Sequence, residues 1–255
     1  MIDFHPVPAF QDNYIWVLSR DGRAVVVDPG DAAPVEDWLA QQELQLAGIL
    51  ITHHHPDHVM GLPKLTANHE VPVWGPAAEA RGIPNLTDTL AEGDRLRIDA
   101  LDLELSVIEL PGHTLGHIAF LGPDFVLCGD TLFACGCGRL FEGTPEQMQA
   151  SLARLRELPA STRVYCTHEY TLANMAFAAE VEPGNEALTR ARAQAEAQRE
   201  AGEPTLPSRI GIERRINPFL RWDSPEVIAS ARRQGASNDS PAAVFTALRR
   251  WKDSF

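Results

Sequence analysis

Side chains that bind metal ions are concentrated in one short stretch, residues 52–58, whose sequence is THHHPDH. An apolar run at 48–51 precedes it and predicts a short buried strand. Two histidines spaced two residues apart can project in the same direction, and an acid and a third histidine follow them: His53, His55, Asp57 and His58. Neutral imidazole together with carboxylate is a ligand set that Zn²⁺, Mn²⁺ and Fe²⁺ accept. A surface histidine run would lie at a terminus and lack the interleaved aspartate, so the stretch predicts a metal site.

Three more ligand-type residues share this placement at the end of an apolar run. His113 follows the alternating strand predicted at 101–107, Asp130 follows 125–128, and His168 follows 163–166. Side chains at the ends of core strands converge in α/β folds, so the repeated pattern of strand and then ligand predicts one shared site.

The number of ligands favours a catalytic site with two metal ions. Seven ligands exceed the four of a tetrahedral structural site, and catalytic sites use three protein ligands and an open position. One ion could be held by His53, His55 and His113, and a second by Asp57, His58 and His168. Asp130 could bridge them. Two ions about 3.5 Å apart would stabilise the charge on an attacked carbonyl or phosphoryl group.

The strands and helices that are predicted to position these residues indicate an α/β fold. Strands and helices alternate up to residue 171 in a pattern that indicates two sheets between helices. Four helices are predicted after it, and the proline-containing stretch 202–223 is predicted to be extended. A strand at 71–74 is placed at a sheet edge because it contains a proline. We expect a catalytic domain at 1–172 and a smaller helical substrate-binding domain at 173–255.

Composition and charge narrow the function classes. The chain has 255 residues and a formal net charge of −13, which argues against nucleic-acid and anionic-membrane partners. Residues 1–172 carry 10 basic against 24 acidic side chains, whereas residues 173–255 carry 12 against 11. No run of 18 apolar residues predicts a membrane span, and the first residues do not resemble a secretory signal. Four cysteines do not make a disulfide framework, so a cytoplasmic protein is expected. We expect a monomer, because no long apolar or coiled-coil surface is evident.

The spacing of these motifs resembles the metallo-β-lactamase superfamily, and most closely the glyoxalase II family, the hydroxyacylglutathione hydrolases. The similar segments cover nearly the whole chain: DNY at 12–14, THHHPDH at 52–58, PGHTLGH at 111–117, GDTLF at 129–133, GCGR at 136–139, FEGT at 141–144, HEY at 168–170, Asn174, NPF at 217–219 and RRWK at 249–252. The first histidine motif alone would indicate only the superfamily, whereas the segments from 129 onward are more specific.

The resemblance implies an αββα sandwich followed by a helical C-terminal domain. It implies two divalent metal ions held by the seven residues named above, with Asp57 and Asp130 as catalytic residues. Zn²⁺ is the expected ion. Fe²⁺ and Mn²⁺ are alternatives, because the same ligands accept all three and the supply of metal in the cell decides which one is bound. The implied reaction is hydrolysis of S-D-lactoylglutathione and related thioesters to the 2-hydroxy acid and glutathione, the second step of methylglyoxal detoxification. The implied glutathione contacts are Arg139, Tyr170, Asn174, Arg249 and Lys252.

Charge independently supports an anion site in the C-terminal part. Glutathione is anionic, so an acidic protein needs a local basic patch to hold it. Arg249 and Lys252 are three residues apart on one predicted helix and therefore share a face. One residue departs from the family pattern, because Phe141 stands where many of these hydrolases have a tyrosine that hydrogen-bonds glutathione. A phenylalanine cannot donate that bond.

The mechanism that we hypothesise uses a metal-bridging hydroxide that attacks the thioester carbonyl while Asp57 orients it. One metal ion stabilises the developing oxyanion, and the thiolate leaves with a pKa of about 8.5, by analogy with cysteine. An iron-dependent glutathione persulfide dioxygenase of the same superfamily is the alternative enzyme. A metal-binding protein without turnover is the alternative from a different class. Metal stoichiometry, oxygen dependence and thioesterase activity distinguish the three.

Overall fold

The computed structural model describes residues 1–255, which divide into two folded units. Unit 1 comprises Met1–Glu109 and Gly116–Gly129. Unit 2 comprises Leu110–Leu115 and Asp130–Phe255. The short segment Leu110–Leu115 therefore belongs to unit 2, although unit 1 residues flank it on both sides in the sequence.

The first sheet of unit 1 forms around two apolar strands joined by a tight hairpin. Asp21 and Gly22 both have positive φ, as a two-residue turn between right-twisted strands requires. The first three strands pair antiparallel and the next three continue in parallel, in sequence order. The strands are β1 (Asp3–Ala9), β2 (Asn13–Arg20), β3 (Arg23–Val27), β4 (Gln45–Leu50), β5 (Val73–Pro76) and β6 (Asp88–Leu90).

Short helices cover this sheet and close its core. The helices are α1 (Ala32–Gln41), α2 (Pro56–Val59) and α3 (Leu62–Asn68). The Asp31 carboxylate caps α1 by accepting a hydrogen bond from the backbone N–H of Ala33. Val35 and Leu39 of α1 are buried against apolar side chains of the sheet, such as Val26. Burial of apolar surface therefore fixes α1 against the sheet, where it contacts β1.

Four antiparallel strands follow in unit 1: β7 (Arg95–Ile98), β8 (Leu103–Glu109), β9 (Ile118–Leu121) and β10 (Phe125–Gly129). They are adjacent in the order β10-β9-β8-β7. The alternation predicted for β8 is observed, because Leu103, Leu105 and Val107 are buried while Glu104 is exposed. Ligand-type residues follow strands in this unit, and the chain reaches His53 shortly after β4 ends.

Unit 2 is mainly helical. Its helices are α4 (Pro145–Arg156), α5 (Thr171–Val181), α6 (Glu186–Glu200), α7 (Ile210–Ile216), α8 (Pro225–Arg233) and α9 (Pro241–Ser254). Its strands are β11 (Leu132–Phe133), β12 (Gly136–Cys137), β13 (Arg163–Cys166) and β14 (Ser208–Arg209). Thr144 and Gln147 form a complete capping box at the start of α4. None of the helices combines the length and the apolar content that a membrane span requires.

Two predictions about proline-containing segments are wrong. The stretch 202–223 is not simply extended, because it contains β14, α7 and a short 3₁₀ helix at Pro218–Leu220. Its prolines lie outside α7, and Pro218 begins the 3₁₀ helix, a position where a missing N–H costs nothing. The strand predicted at 71–74 is β5, which lies between β4 and β6 rather than at an edge. Pro72 precedes this strand and Pro76 ends it, so neither proline interrupts the ladder.

A buried ion pair stabilises unit 2. Glu182 is 2% exposed and receives two hydrogen bonds from Arg221, at 2.7 and 2.9 Å. We expect Glu182→Ala to lower the free energy of unfolding by about 3 kcal/mol, because it leaves the guanidinium without its carboxylate. Urea unfolding measures this loss. Glu186→Ala is the matched control, because its pair with Arg190 is exposed and should contribute little. Equal losses in the two variants would contradict the expectation.

Candidate metal centre

The first ligand cluster consists of His53, His55, Asp57 and His58, all in unit 1. His53 Nε2 lies 3.1 Å from His55 Nδ1, and His58 Nε2 lies 3.5 Å from Asp57 Oδ2. Ligand atoms bound tetrahedrally at 2.0–2.1 Å from one zinc ion lie about 3.4 Å apart. These separations are therefore those of ligands that share a cation. His53 also has a ligand atom within 4.8 Å of one on His58, so the pairs form a single group.

Asp28 supports the first ligand cluster through its contacts with Thr52 and His58. Its buried carboxylate accepts hydrogen bonds from the Thr52 N–H at 2.8 Å and from the Thr52 hydroxyl at 2.7 Å. His58 Nδ1 lies 3.1 Å from Asp28 Oδ2. A histidine that binds metal usually donates its other ring N–H to a carboxylate or carbonyl, which fixes the ring and its tautomer. Asp28 thus leaves His58 Nε2 as the nitrogen available to a metal ion.

Thr52 extends this support to His53. Its hydroxyl donates to Asp28 and lies 3.1 Å from His53 Nδ1, so the oxygen can accept from the ring N–H. His53 is fully buried, and its Nε2 faces His55. Asp28 therefore positions two ligands of the cluster, one directly and one through Thr52.

Asp57 is a partly exposed member of the first cluster, as is His55. The side-chain amide of Asn13 donates a hydrogen bond of 3.1 Å to Asp57 Oδ2, which orients the carboxylate. Gly30 packs directly against the backbone here, because a Cβ at this position would lie 1.8 Å from the Asp57 carbonyl oxygen. Only glycine allows this approach.

The second ligand cluster consists of His113, Asp130 and His168, all in unit 2. Asp130 Oδ2 lies 3.4 Å from His113 Nε2 and 3.3 Å from His168 Nε2. His113 Nδ1 lies 2.8 Å from the carbonyl oxygen of Arg139 and can donate its N–H there, so Nε2 carries the lone pair. All three side chains are buried, and their donor set is again imidazole and carboxylate. Both clusters therefore fit a divalent metal ion.

Other histidines make different contacts. The backbone N–H of His54 donates to Glu79 Oε2 at 2.7 Å, and the ring Nδ1 of His54 lies 2.8 Å from the same oxygen. His117 is fully buried, and its ring stacks on that of His53 with centroids 4.8 Å apart. His54 thus points to Glu79, and His117 packs against a ligand ring.

The predicted glutathione contacts all lie in unit 2, where the structure gives them two kinds of surroundings. Asn174 and Arg249 are buried and bond to backbone carbonyls: Asn174 to Ala134 at 3.1 Å and Arg249 to Cys137 at 3.1 Å. Arg249 also pairs with Asp253 at 2.9 Å. These two side chains are therefore largely engaged within the protein.

The remaining predicted contacts are more accessible. Arg139 has 60% of its side chain exposed, and Lys252 and Tyr170 are partly exposed. The Tyr170 ring stacks on that of His168, a predicted ligand, with centroids 4.7 Å apart and planes nearly parallel. Phe141 is 61% exposed, and its ring meets His113 edge to face at 5.2 Å. Phe141 thus presents an apolar surface beside a predicted metal ligand.

Asp28 was missed as a functional residue in the sequence. It follows the apolar strand β3, so the same pattern of strand and then ligand-type residue could have found it. Asn13 was recognised only as part of a similar segment, because nothing local indicates that its amide reaches a residue 44 positions away.

Two family models and several known proteins match the chain over nearly its full length. The model of the metallo-beta-lactamase superfamily matches residues 8–168, and that of the hydroxyacylglutathione hydrolase C-terminus matches residues 169–255. The hydroxyacylglutathione hydrolase of Alkalilimnicola ehrlichii is 55% identical over 99% of both chains. That of Nitrosomonas europaea is 51% identical and covers 100% of this chain and 97% of its own.

A solved structure extends the likeness to the fold. TTHA1623 in a di-iron-bound form has 28% identity and a TM-score of 0.62, covering 85% of this chain and 100% of its own. The predicted α/β class, an αββα metallo-β-lactamase fold followed by a helical C-terminal region, is confirmed. Full-length identity above one half and both family models lead to one conclusion: the chain belongs to the hydroxyacylglutathione hydrolase family of the metallo-β-lactamase superfamily.

Proposed function

We propose that the chain hydrolyses S-D-lactoylglutathione and related S-2-hydroxyacylglutathiones to the 2-hydroxy acid and free glutathione, the second step of methylglyoxal detoxification. The observation that carries this proposal is the identity of about one half to hydroxyacylglutathione hydrolases across both the ligand-bearing and the C-terminal parts. The two clusters supply the imidazole and carboxylate groups that a metallohydrolase needs.

The proposed site contains two divalent metal ions held by the seven residues of the two clusters, and Zn²⁺ is the proposed metal. Bound divalent ions lower the pKa of a water ligand and polarise a carbonyl oxygen. The protein positions the groups around them. Asn13 holds the Asp57 carboxylate, which orients the attacking water, and Asp28 and the Arg139 carbonyl fix the rings of His58 and His113. The leaving thiolate needs no strong acid, since its pKa is about 8.5.

Lys252, Arg139 and Tyr170 are the proposed direct contacts of the glutathione moiety. Lys252 and Arg139 are cations on an accessible surface, and glutathione carries carboxylates. Arg249 and Asn174 are assigned to the same site, and they contribute through the backbone carbonyls that they bind. Residues 1–172 remain proposed as the catalytic domain and residues 173–255 as the substrate-binding domain.

The ionisation of Lys252 should limit substrate binding at alkaline pH. Burial, together with the nearby Arg249 charge, lowers the pKa of Lys252 below its usual value. As pH rises through this lowered pKa, the ammonium loses its charge, so KM should rise at a pH below the ordinary lysine value of about 10.4. In Lys252→Arg the guanidinium stays charged, and this rise in KM should disappear from the pH profile.

Lys64→Arg is the matched control for this profile, because Lys64 is exposed and is the only other lysine of the chain. Its KM profile should follow that of the wild type. An alkaline rise in KM that persists unchanged in Lys252→Arg would assign the effect to the substrate or to another group.

Thiol release from S-D-lactoylglutathione by the purified protein tests the proposed function, before and after metal stripping. Release that disappears on stripping and returns with Zn²⁺, Fe²⁺ or Mn²⁺ is expected. No release from fully metallated protein would contradict the proposal. Oxygen consumption with glutathione persulfide would then support the dioxygenase alternative, and tight metal binding without either activity would support a binding protein.

The setting of the reaction belongs to the same proposal. The four cysteines are all buried and none forms a disulfide bond, which suits a reducing compartment such as the cytoplasm. The monomeric state expected from the sequence also stays a proposal, and light scattering of the purified protein measures it.

A further inference from the structure

A small buried hairpin follows Asp130 of the second ligand cluster and leads to Arg139, whose carbonyl oxygen contacts His113. β11 and β12 pair through a two-residue turn at Ala134 and Cys135, directly after Asp130. Cys135 has φ +56°, a left-handed conformation that is uncommon for a residue with a side chain. The hairpin is too short to be stable alone, so other side chains must hold it.

Glu213 and Asn217 hold this hairpin from α7 and its C-terminal end. Glu213 Oε2 accepts the Cys135 N–H at 2.8 Å. The Asn217 amide donates to the carbonyl oxygens of Phe133 at 3.3 Å and Gly136 at 2.9 Å, and to Glu213 Oε2 at 2.9 Å. Both side chains are fully buried, so these polar groups have no access to solvent in their place.

The ends of the hairpin lead to two predicted metal ligands. Asp130 precedes it, and the Gly138 N–H returns to the Thr131 carbonyl at 3.2 Å. A Cβ on Gly138 would lie 1.9 Å from the Asp130 carbonyl oxygen, so the exit strand touches the Asp130 backbone. The next carbonyl, that of Arg139, accepts from His113 Nδ1 at 2.8 Å. A displaced hairpin would therefore disturb both Asp130 and His113.

We propose that Glu213 and Asn217 are positioning residues for metal retention, acting through the hairpin on Asp130 and His113. This inference rests on the proposed metal-binding role of the second ligand cluster. Neither residue hydrogen-bonds a ligand side chain. Their effect is transmitted by the hairpin backbone, where they bind three groups: the Cys135 N–H and the carbonyl oxygens of Phe133 and Gly136.

The chemistry of Glu213 provides a conservative rescue variant. Glu213 also accepts a hydrogen bond from the Ser208 hydroxyl through its other oxygen, Oε1. In Glu213→Gln, the amide oxygen can still accept from Cys135 and Asn217, while the new NH₂ donates to Ser208, whose hydroxyl can accept. Burial raises the pKa of the Glu213 carboxyl, so the neutral glutamine removes an unfavourable desolvation.

Metal release from the Zn²⁺-loaded protein into an excess of chromogenic chelator tests the proposal. Glu213→Ala and Asn217→Ala should each release zinc about tenfold faster than the wild type, as expected when support of a ligand is lost. Glu213→Gln should release it at close to the wild-type rate. Asn217→Ala supplies the test by itself if Glu213→Ala does not accumulate as folded protein.

Glu182→Ala distinguishes positioning from general destabilisation. Glu182 is as buried as Glu213 and lies in the same unit, but its partners are Arg221 and Ser224. It should lose stability without faster zinc release. Equally fast release from Glu182→Ala, or wild-type release from Glu213→Ala and Asn217→Ala, would overturn the proposal. The readout needs no substrate, so a failure of the thioesterase assay would leave this test intact.

Discussion

Replacing Asp130 with alanine will leave the purified protein with fewer than two metal ions per chain and will lower kcat/KM by at least about a hundredfold. Asp130 Oδ2 lies within 3.4 Å of the Nε2 atoms of both His113 and His168. Loss of the carboxylate removes the only anionic ligand of this cluster. Loss of a residue that merely supports a ligand already costs about 10–100-fold, so loss of the ligand itself should cost more. Elemental analysis and steady-state kinetics measure the two effects.

Asp124→Ala is the control, because Asp124 is exposed and lies six residues earlier in the chain. It should bind metal and turn over like the wild type. Two ions per chain with full turnover in Asp130→Ala would show that the proposed ligand set is wrong.

Replacing Asp28 with alanine will weaken metal binding by about 10–100-fold, although Asp28 is not itself a proposed ligand. Its carboxylate accepts two hydrogen bonds from Thr52 and lies 3.1 Å from His58 Nδ1. Asp28 also has φ +52°, a conformation that aspartate and asparagine tolerate better than alanine does. Asp28→Asn keeps that tolerance and one acceptor oxygen, so its loss of affinity should be smaller. Chelator competition at equilibrium measures the affinities.

Asp31→Ala separates this effect from a local loss of stability. Asp31 caps α1 three residues further along the chain, and its removal should cost about 1 kcal/mol of stability. Metal affinity should stay at the wild-type level in this variant. Wild-type affinity in Asp28→Ala would refute the supporting role of Asp28.

The sequence predicts the elements that carry the ligands because each depends on a local signal. The alternation of Leu103, Leu105 and Val107 identifies β8, and the Thr144 cap identifies the start of α4. The ligands follow apolar runs, so their positions relative to strands are also visible in the sequence. Local periodicity is therefore enough to predict the α/β class and the polar ends of its strands.

The sequence does not reveal the residues that support the ligands, because their partners are remote. Glu213 bonds to a residue 78 positions away, and Asn217 to one 84 positions away. In the sequence, Glu213 looks like any acidic residue of a polar segment. The prolines of 202–223 similarly suggested an extended segment, whereas α7 fits between them because none falls within Ile210–Ile216. Long-range pairing places Glu213 and Asn217, and no local pattern encodes it.

The discontinuous division of the chain sets an order of assembly during synthesis on the ribosome. Unit 1 has all its residues once Gly129 has left the exit tunnel, whereas unit 2 must wait for α9 at the C-terminus. Because units of this kind fold as their residues emerge, the proposed ligands His53, His55, Asp57 and His58 come together on the nascent chain before His168 has left the exit tunnel. Metal capture can therefore begin cotranslationally at the first cluster. His113 is translated early but belongs to unit 2. It can therefore take its final position only after the rest of unit 2 has been synthesised.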